Sequence, residues 1–310
     1  REGGLELLLA CIAPGQPTML VCNAAGALCN AAAASPDVAH RLVVLDAVAT
    51  VTALLDPSAS EQLASVIDQA GALLLNLCYT RAGRDAGRDA GTVRVGGELL
   101  EDDNPLVHTI SARILQNLCA GDEVNSASAA AGGSVELLLQ PLLTASPDTH
   151  LDVTVHTEAQ LACATALRNA SAAAEVAEVV VSAVVAHEGA DHTGLAILLQ
   201  ALLLAQPHES VKCKVSVAAC LANCAALVEV RAALLAEGIL GPAVSVLHEA
   251  LREVTWAKAM AQAGTDQPSI ADEAAMAVEL CALQAALCLL VRNAALSPAC
   301  KAFLLEETSA

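Results

Sequence analysis

The chain of 310 residues is 55% hydrophobic and only 1% aromatic, and its formal net charge is −19. An acidic surface of this kind repels phosphate backbones, which excludes nucleic acid as an expected partner and favours basic proteins or peptides. The same acidity would also serve simply to keep an apolar chain in solution. With so few rings, Ala, Leu and Val must fill the core, which suits closely packed helices because Ala and Leu are strong helix formers.

The chain holds twelve cysteines but no C-x-x-C pair, so a zinc ribbon is not expected. Several cysteines share helical spacings, which predicts small buried apolar residues on helix faces and no intrachain disulfides. These pairs are Cys22 and Cys29, Cys281 and Cys288, and Cys220 and Cys224. Reduced thiols indicate an intracellular, cytoplasmic location.

The sequence shows no run of 18 uninterrupted apolar residues with membrane flanks, so no membrane span is expected. The chain starts at Arg1 without Met and stops at Ala310 inside a unit, which predicts a fragment truncated at both ends. No signal in the sequence predicts an oligomeric state.

Apolar residues at helical spacing predict helices in chain order over 4–12, from Thr18 through Ala33, and from Pro36 and Ser60 onward. Residues 81–97 interrupt this rhythm, because Arg, Asp and Ala alternate there with a Gly at every fourth position. This composition predicts a mobile loop insertion that trypsin would cut first.

Beyond that segment, the apolar pattern again predicts helices separated by short turns. They cover residues 106–120, 134–143, 156–173, 175–187, 194–205, 210–227, 242–263 and 269–295. The cluster His187-Glu188-Gly189-Ala190-Asp191-His192 interrupts them. Its spacing matches no known metal-ligand pattern, so we interpret it as an acidic loop between helices and expect no metal site.

One polar amide recurs at six places inside otherwise apolar helices. A Leu or Val precedes it by two positions, a small residue precedes it by five, and an apolar residue follows it. The six residues are Asn30, Asn76, Asn117, Asn169, Asn223 and Asn293, at intervals of 46, 41, 52, 54 and 70 residues. The first two intervals match helical solenoid repeats of roughly 40–47 residues, and the longer ones indicate the same unit with insertions. Asn is unfavourable inside helices, so six Asn residues at the same position of a repeated pattern indicate a structural or functional role.

The clearest unit contains Leu221-Ala222-Asn223-Cys224, a short helix over 230–235, a turn at Gly238, and a second helix over 244–251. It resembles the armadillo repeat, whose third helix carries a small residue, a Leu and an Asn. In that family the next unit begins with a short helix, turns at a Gly and continues with a second helix. Residues 30–55 fit the same description, with Asp46 where the turn Gly is expected. HEAT repeats are the nearest competitor and imply almost the same architecture.

The resemblance implies an all-α fold, a right-handed α-α superhelix without a β-sheet. It implies one armadillo-like solenoid of about six to seven repeats over residues 1–310, interrupted by the insertion at 81–97. In armadillo proteins the third helices line a concave groove, and their asparagines hold extended peptides by the main chain. By resemblance, Asn30, Asn76, Asn117, Asn169, Asn223 and Asn293 would line such a groove. The alternative is that some of these amides only cap or bridge neighbouring helices.

Nuclear-import adaptors of this family place Trp four residues before the Asn. No Trp stands at the equivalent positions, which are Gly26, Ala72, Arg113, Thr165, Ala219 and Leu289. A receptor for nuclear-localisation signals is therefore disfavoured. Catenin-like grooves are basic, so the acidic charge disfavours that class as well.

The resemblance favours a non-catalytic scaffold that binds a protein or an extended peptide, basic in character, along the concave groove. The alternative is a regulator of small GTPases similar to the armadillo-type GDP-dissociation stimulators, which are acidic, lack the Trp array and take GTPases with basic tails. The chain contains no G-x-x-x-x-G-K-[ST], G-x-S-x-G or H-E-x-x-H motif. We therefore expect no enzymatic activity, no catalytic residues and no cofactor.

Overall fold

The computed structural model describes residues 3–13, 15–58, 64–143, 150–203, 210–263 and 270–307. Within these ranges nearly all of the regular backbone is helical. The first nine helices are α1 (Gly4–Cys11), α2 (Thr18–Ala34), α3 (Pro36–Val44), α4 (Ala47–Leu55), α5 (Ala64–Cys78), α6 (Arg81–Asp89), α7 (Thr92–Leu99), α8 (Pro105–Leu118) and α9 (Glu123–Ala131). They are followed by α10 (Ser134–Leu143), α11 (His150–Ala170), α12 (Ala174–Ser182), strands β1 (Val184–His187) and β2 (Ala190–Thr193), α13 (Gly194–Leu203), α14 (Ser210–Ala226), α15 (Val230–Ala236), α16 (Leu240–Ala263), α17 (Ile270–Ala294) and α18 (Pro298–Glu307).

The helices recur in groups of three: a short first helix, a second helix, and a third helix that carries the Asn motif. The five complete groups are α3–α5, α6–α8, α9–α11, α12–α14 and α15–α17. The six motif helices are α2, α5, α8, α11, α14 and α17, and each packs against the next one along the chain. The all-α superhelix predicted from the sequence is therefore confirmed.

The first and second helices of a group meet at a steep bend, which measures 76° between α3 and α4 and 79° between α15 and α16. The residue at the bend has a left-handed backbone, which Gly adopts without cost and Asp tolerates. These residues are Asp46 (φ 57°), Gly91 (φ 72°), Gly133 (φ 76°) and Gly238 (φ 67°). The expectation that Asp46 takes the place of the turn glycine is thus confirmed.

The prediction of a loop at residues 81–97 was wrong, because this segment forms α6 and most of α7. Its glycines lie where the helix touches its neighbours. A Cβ added to Gly83 would lie 1.8 Å from the carbonyl oxygen of Leu77, and one on Gly87 would lie 2.7 Å from Cδ2 of Leu118. Gly83 and Gly87 are therefore required by close helix packing, while Gly91, the next glycine of the period, forms the left-handed turn before α7.

The prediction that no β-sheet would be present was wrong at one place. In the fourth group an antiparallel hairpin of β1 and β2 stands between α12 and α13, where the other groups have a connection of two or three residues. Glu188 (φ 50°) and Gly189 (φ 82°) form its two-residue turn, the conformation that tight hairpins prefer. Val185 pairs with His192 in the ladder and is buried. The segment 187–192 is thus a hairpin tip and not a loop between helices.

One continuous apolar cluster runs through the groups, from Leu9 to Leu290. Seven of the twelve free cysteines are buried. Of the pairs whose spacing predicted burial, Cys220 and Cys224 are buried, whereas Cys22 and Cys29 are half-buried. Burial raises the pKa of the Cys78 and Cys119 thiols to about 12, so these thiols stay protonated and unreactive. Cys281 and Cys288 are exposed, contrary to prediction, because among the described residues no further motif helix covers their side of α17.

Judged by length and composition alone, the stretch Ala275–Ala294 of α17 is apolar enough to cross a membrane, and 22% of it is buried. Two bent pairs of first and second helices pass the same test when each pair is taken as one span. In the structure α17 packs against α14 and α16. The absence of a membrane span therefore stays a prediction.

Candidate functional site

The motif asparagines form a regular ladder between neighbouring helices. In each step, Nδ2 of one asparagine donates to the backbone carbonyl of the residue just before the preceding asparagine. The donor–acceptor pairs are Asn76 to Cys29 (3.2 Å), Asn117 to Leu75 (3.0 Å), Asn169 to Gln116 (2.8 Å), Asn223 to Arg168 (3.1 Å) and Asn293 to Ala222 (2.9 Å). The bridging alternative therefore holds for these five residues, and it explains why a residue unfavourable in helices recurs in register.

Asn30 differs from the other five. No motif helix precedes α2 among the described residues, and the Asn30 side chain is exposed and makes no hydrogen bond within them. The ladder therefore begins at Asn76. Its hydrogen bond is accepted by the carbonyl of Cys29, the residue before Asn30, and the Asn30 side chain takes no part.

Bridging uses only part of each amide. A side-chain amide has two N–H donors and an oxygen with two lone pairs. Within the described residues no donor reaches Oδ1 of Asn76, Asn117, Asn223 or Asn293, and these residues are only half-buried. Each of these four rungs thus keeps its amide oxygen as an acceptor for another molecule. Asn117 and Asn293 also keep one N–H donor, whereas Nδ2 of Asn76 has a second contact, with Sγ of Cys29 at 3.3 Å.

Asn169 is the exception among the rungs. Its Oδ1 accepts hydrogen bonds from Nε and Nη2 of Arg168, both at 3.2 Å. Sequence reasoning gave Arg168 no role. It also missed Ser171, whose Oγ accepts a second hydrogen bond from Nδ2 of Asn223 at 3.1 Å. An Arg also directly precedes the motif Asn at Asn293, so the Arg-Asn dipeptide was the one feature of the sequence that could have indicated a role for Arg168.

The exposed and half-buried side chains of the six motif helices form one surface, called here the ladder surface. Polar side chains cross it from helix to helix. Oγ1 of the half-buried Thr165 lies 3.1 Å from Oγ of Ser216, which is buried beneath it. Arg113 pairs with Glu158 at 3.4 Å, and Lys212 pairs with Glu279 at 3.3 Å. Thr165 and Arg113 stand four residues before a motif Asn, so polar side chains occupy two of the positions where Trp was sought and not found.

The motif helices together carry little net charge, although the chain carries a net charge of −19. The six motif helices hold five basic and six acidic residues, a net charge of −1. The basic residues are Arg113, Arg168, Lys212, Lys214 and Arg292, and the acidic ones are Asp68, Asp152, Glu158, Asp272, Glu273 and Glu279. Most of the acidity therefore belongs to the first and second helices and the connections.

The part of the chain that the structure describes contains no group of three or more His, Cys, Asp or Glu residues that could hold a metal ion. The two histidines of the predicted acidic loop lie on opposite strands of the hairpin, and they are not directly paired, since Val185 faces His192 and His187 faces Ala190. The chemistry available on the ladder surface is thus hydrogen bonding and weak ion pairing.

No family model and no curated protein sequence matches the chain. Solved structures match it in fold. An engineered protein is 20% identical with a TM-score of 0.65, and the alignment covers 92% of this chain and 98% of that one. A designed armadillo repeat protein is 18% identical with a TM-score of 0.64, over 91% of this chain and 99% of that one. Another designed armadillo repeat protein, in complex with the peptide (KR)4, is 16% identical with a TM-score of 0.62, over 90% and 99%.

Each match extends along nearly the whole of both chains, so the likeness concerns the entire array of helices and not a single motif. At these identities the likeness establishes the fold. The chain therefore has an armadillo-like repeat fold, as the recurring Leu-x-Asn motif had indicated.

Proposed function

We propose that this chain is a non-catalytic interaction scaffold that captures an extended protein segment along the ladder surface. The observation that carries the proposal is the row of half-buried asparagine amides, one per group, each fixed by a bond to the neighbouring helix. Fixed polar groups lose little conformational entropy on binding, so they are suited to holding a ligand. The free thiols agree with the intracellular, cytoplasmic location that we propose with it.

The amide donors and acceptors that bridging leaves free suit a peptide main chain. An extended residue offers one N–H and one C=O, and a side-chain amide can pair with both. Oδ1 of Asn76, Asn117, Asn223 and Asn293 would accept from peptide N–H groups. The second Nδ2 proton of Asn117 and of Asn293 would donate to peptide carbonyls. Such a ladder would bind the peptide backbone whatever the peptide sequence. Protein residues between the asparagines would then select the peptide side chains.

The charge distribution assigns a second role to basic residues in the partner. The motif helices carry only −1 of the total −19, so the captured segment itself need not be basic. Basic residues flanking it would meet the acidic outer helices and speed association. The designed armadillo repeat protein in complex with (KR)4 offers a precedent for a basic peptide on this fold.

The test is a scan of backbone N-methylation along a peptide selected for binding from a library of extended sequences. Methylation removes one peptide N–H and leaves the protein unaltered. We expect sensitive positions to recur at a constant interval, each weakening binding about 2- to 12-fold, the value of one net hydrogen bond. Intervening positions serve as controls. A peptide that tolerates methylation everywhere would contradict capture by the asparagines.

The alternative, regulation of small GTPases with basic tails, makes a different prediction about nucleotide. The net charge of −19 favours binding of a basic tail, but a regulator must also distinguish the nucleotide state of the GTPase. Pull-down of tailed GTPases with and without bound nucleotide separates the two. Retention that depends on nucleotide would favour the regulator, whereas retention that depends only on the tail would favour the scaffold.

A further inference from the structure

A cavity of about 720 Å3 opens at the third group, away from the asparagine ladder. It is lined by the turn between α7 and α8, by the first residues of α8, by the end of α10, and by the N-terminal half of α11. Its volume falls within the range of roughly 300–1,000 Å3 that is typical of sites for small organic ligands.

Two hydrogen bonds fix the walls of this cavity. Pro141 lies inside α10 and has no N–H, so the carbonyl of Leu137 lacks its helical donor. The ring of His108 on α8 bonds to the backbone of Leu137 and replaces that donor. Nε2 of Gln160 on α11 donates to the carbonyl of Pro141 at 3.1 Å. Because α10 is held from both sides, the cavity is formed before any ligand arrives.

The cavity is mostly apolar inside, although His108, Gln140 and His156 also line it, and its rim is acidic. Leu100 and Ala159 are buried, and Leu106 stands at the opening with 56% of its surface exposed. Glu101 and Asp103 are exposed at the rim and take part in no ion pair within the described residues, and no Lys or Arg lines the cavity. Asp102 completes the rim, and its Oδ1 accepts the backbone N–H of Asn104 at 2.7 Å.

We propose that this cavity binds an organic cation with an apolar body, an alkylammonium group. The alkyl chain would lie against the interior, where Leu100 and Ala159 remove it from water. The ammonium would stay at the opening beside Glu101 and Asp103, as the head of a lysine does when its stem is buried. Such a group is supplied either by a free amine or by a lysine side chain of another protein, and the cavity chemistry is the same for both.

The test compares three probes of equal length, hexylamine, hexanol and hexanoate, by ligand-observed NMR titration of the full chain. We expect hexylamine to bind about fivefold tighter than hexanol, since a charge pair at 4 Å is worth about 1 kcal/mol in water. Hexanoate should bind more weakly than hexanol. Binding of hexanoate equal to that of hexylamine, or no binding by any probe, would overturn the proposal.

Two variants locate the binding. Glu101→Gln with Asp103→Asn should reduce hexylamine to the affinity of hexanol and leave hexanol unchanged. The matched control, Glu175→Gln with Glu178→Gln, alters net charge equally at exposed positions of α12 and should leave all three affinities unchanged. Val155→Phe places a ring in the cavity and should weaken hexylamine and hexanol together. An amine preference that survives loss of Glu101 and Asp103 would contradict the assignment.

A further arm distinguishes the sources of the cation. A blocked Gly-Lys-Gly peptide is compared with the same peptide carrying norleucine, which lacks the charge. Displacement of hexylamine by the lysine peptide alone would assign the cavity to protein lysines. Failure of both peptides, with hexylamine still bound, would assign it to free amines. Displacement by both peptides equally would count against an ammonium site. None of these outcomes depends on the asparagine ladder.

Discussion

At the scale of single residues, one side-chain amide of a motif asparagine can both bridge two helices and offer a hydrogen-bonding group to another molecule. Nδ2 of Asn117 bonds to the neighbouring helix, and its Oδ1 remains available on the surface. The structural duty alone would explain the presence of Asn in a helix, since removing it would cost a hydrogen bond between groups. A mutation of these residues must therefore be interpreted for stability before it is interpreted for binding.

Replacing a bridging asparagine by alanine should lower the free energy of unfolding relative to the same change at Asn30. Asn117→Ala and Asn223→Ala each remove an inter-helix hydrogen bond, worth about 0.5–1.5 kcal/mol net. Asn30→Ala removes none, and it controls for the better helix propensity of alanine. Urea denaturation followed by circular dichroism measures the differences. Equal effects at all three positions would show that the bridges contribute nothing.

His108 should make stability depend on pH. Burial lowers the pKa of this imidazole below its ordinary value of 6.5, so the unfolded chain takes up a proton before the folded chain does. The contribution of His108 to stability is therefore complete above that value and is lost as the pH falls through it. His108→Gln keeps an N–H donor for Leu137 but does not titrate. Between about pH 7 and pH 5 its unfolding free energy should decline less steeply than that of the parent protein.

At the scale of secondary-structure elements, α6 shows how packing overrides composition. Arg, Asp, Gly and Ala at a four-residue period look like a flexible tract, but that period places Gly83 and Gly87 one turn apart on one face. Both are buried there against neighbouring helices. Arg88 on the same helix contacts Asp122 and Asp85, which joins α6 to the start of the next group.

Limited proteolysis should therefore spare α6. We expect trypsin to cut at Arg81, Arg84 and Arg88 no sooner than at Arg113 or Arg168, which lie within motif helices, because helical backbone resists the extended conformation that a protease needs. Mass spectrometry of early digests identifies the first cuts. Gly83→Ala, which forces a Cβ against Leu77, should expose α6 to early cleavage and cost about 1–3 kcal/mol of stability. Gly4→Ala in α1 is the control, since nothing lies within 4 Å of its added Cβ.

At the scale of the whole molecule, charge and hydrogen-bonding capacity are separated between layers. The motif helices hold the amide ladder with a net charge of −1, while the other elements carry the rest of the −19. Short-range recognition and long-range attraction can then act independently, because exposed charges are screened within about 8 Å at physiological ionic strength.

The separation predicts two kinds of salt dependence. Affinity for an uncharged extended peptide held by the ladder should change little between about 50 mM and about 300 mM salt, whereas affinity for a lysine-rich peptide of equal length should fall steeply. Fluorescence anisotropy titrations at several salt concentrations measure both. An equally steep fall for the uncharged peptide would show that the acidic outer layer, and not the ladder, controls binding.

Much of the architecture could be predicted from the sequence because it depends on local patterns. Apolar residues at helical spacing mark the helices, and a Leu or Val two residues before an Asn marks the motif helices in all six places. The left-handed turn at Asp46 followed from its position in the repeat. Such features involve residues within one or two helices, where propensity and periodicity are sufficient.

The remaining features were decided by contacts between groups. The acceptor of each asparagine bridge lies 42 to 71 residues earlier in the chain. The packing of α6 depends on Leu77 and Leu118 lying close to its glycines. The exposure of Cys281 and Cys288 depends on which helices cover α17, and the cavity depends on α10 meeting both α8 and α11. Local patterns carry no information about these distances, so only the tertiary structure determines them.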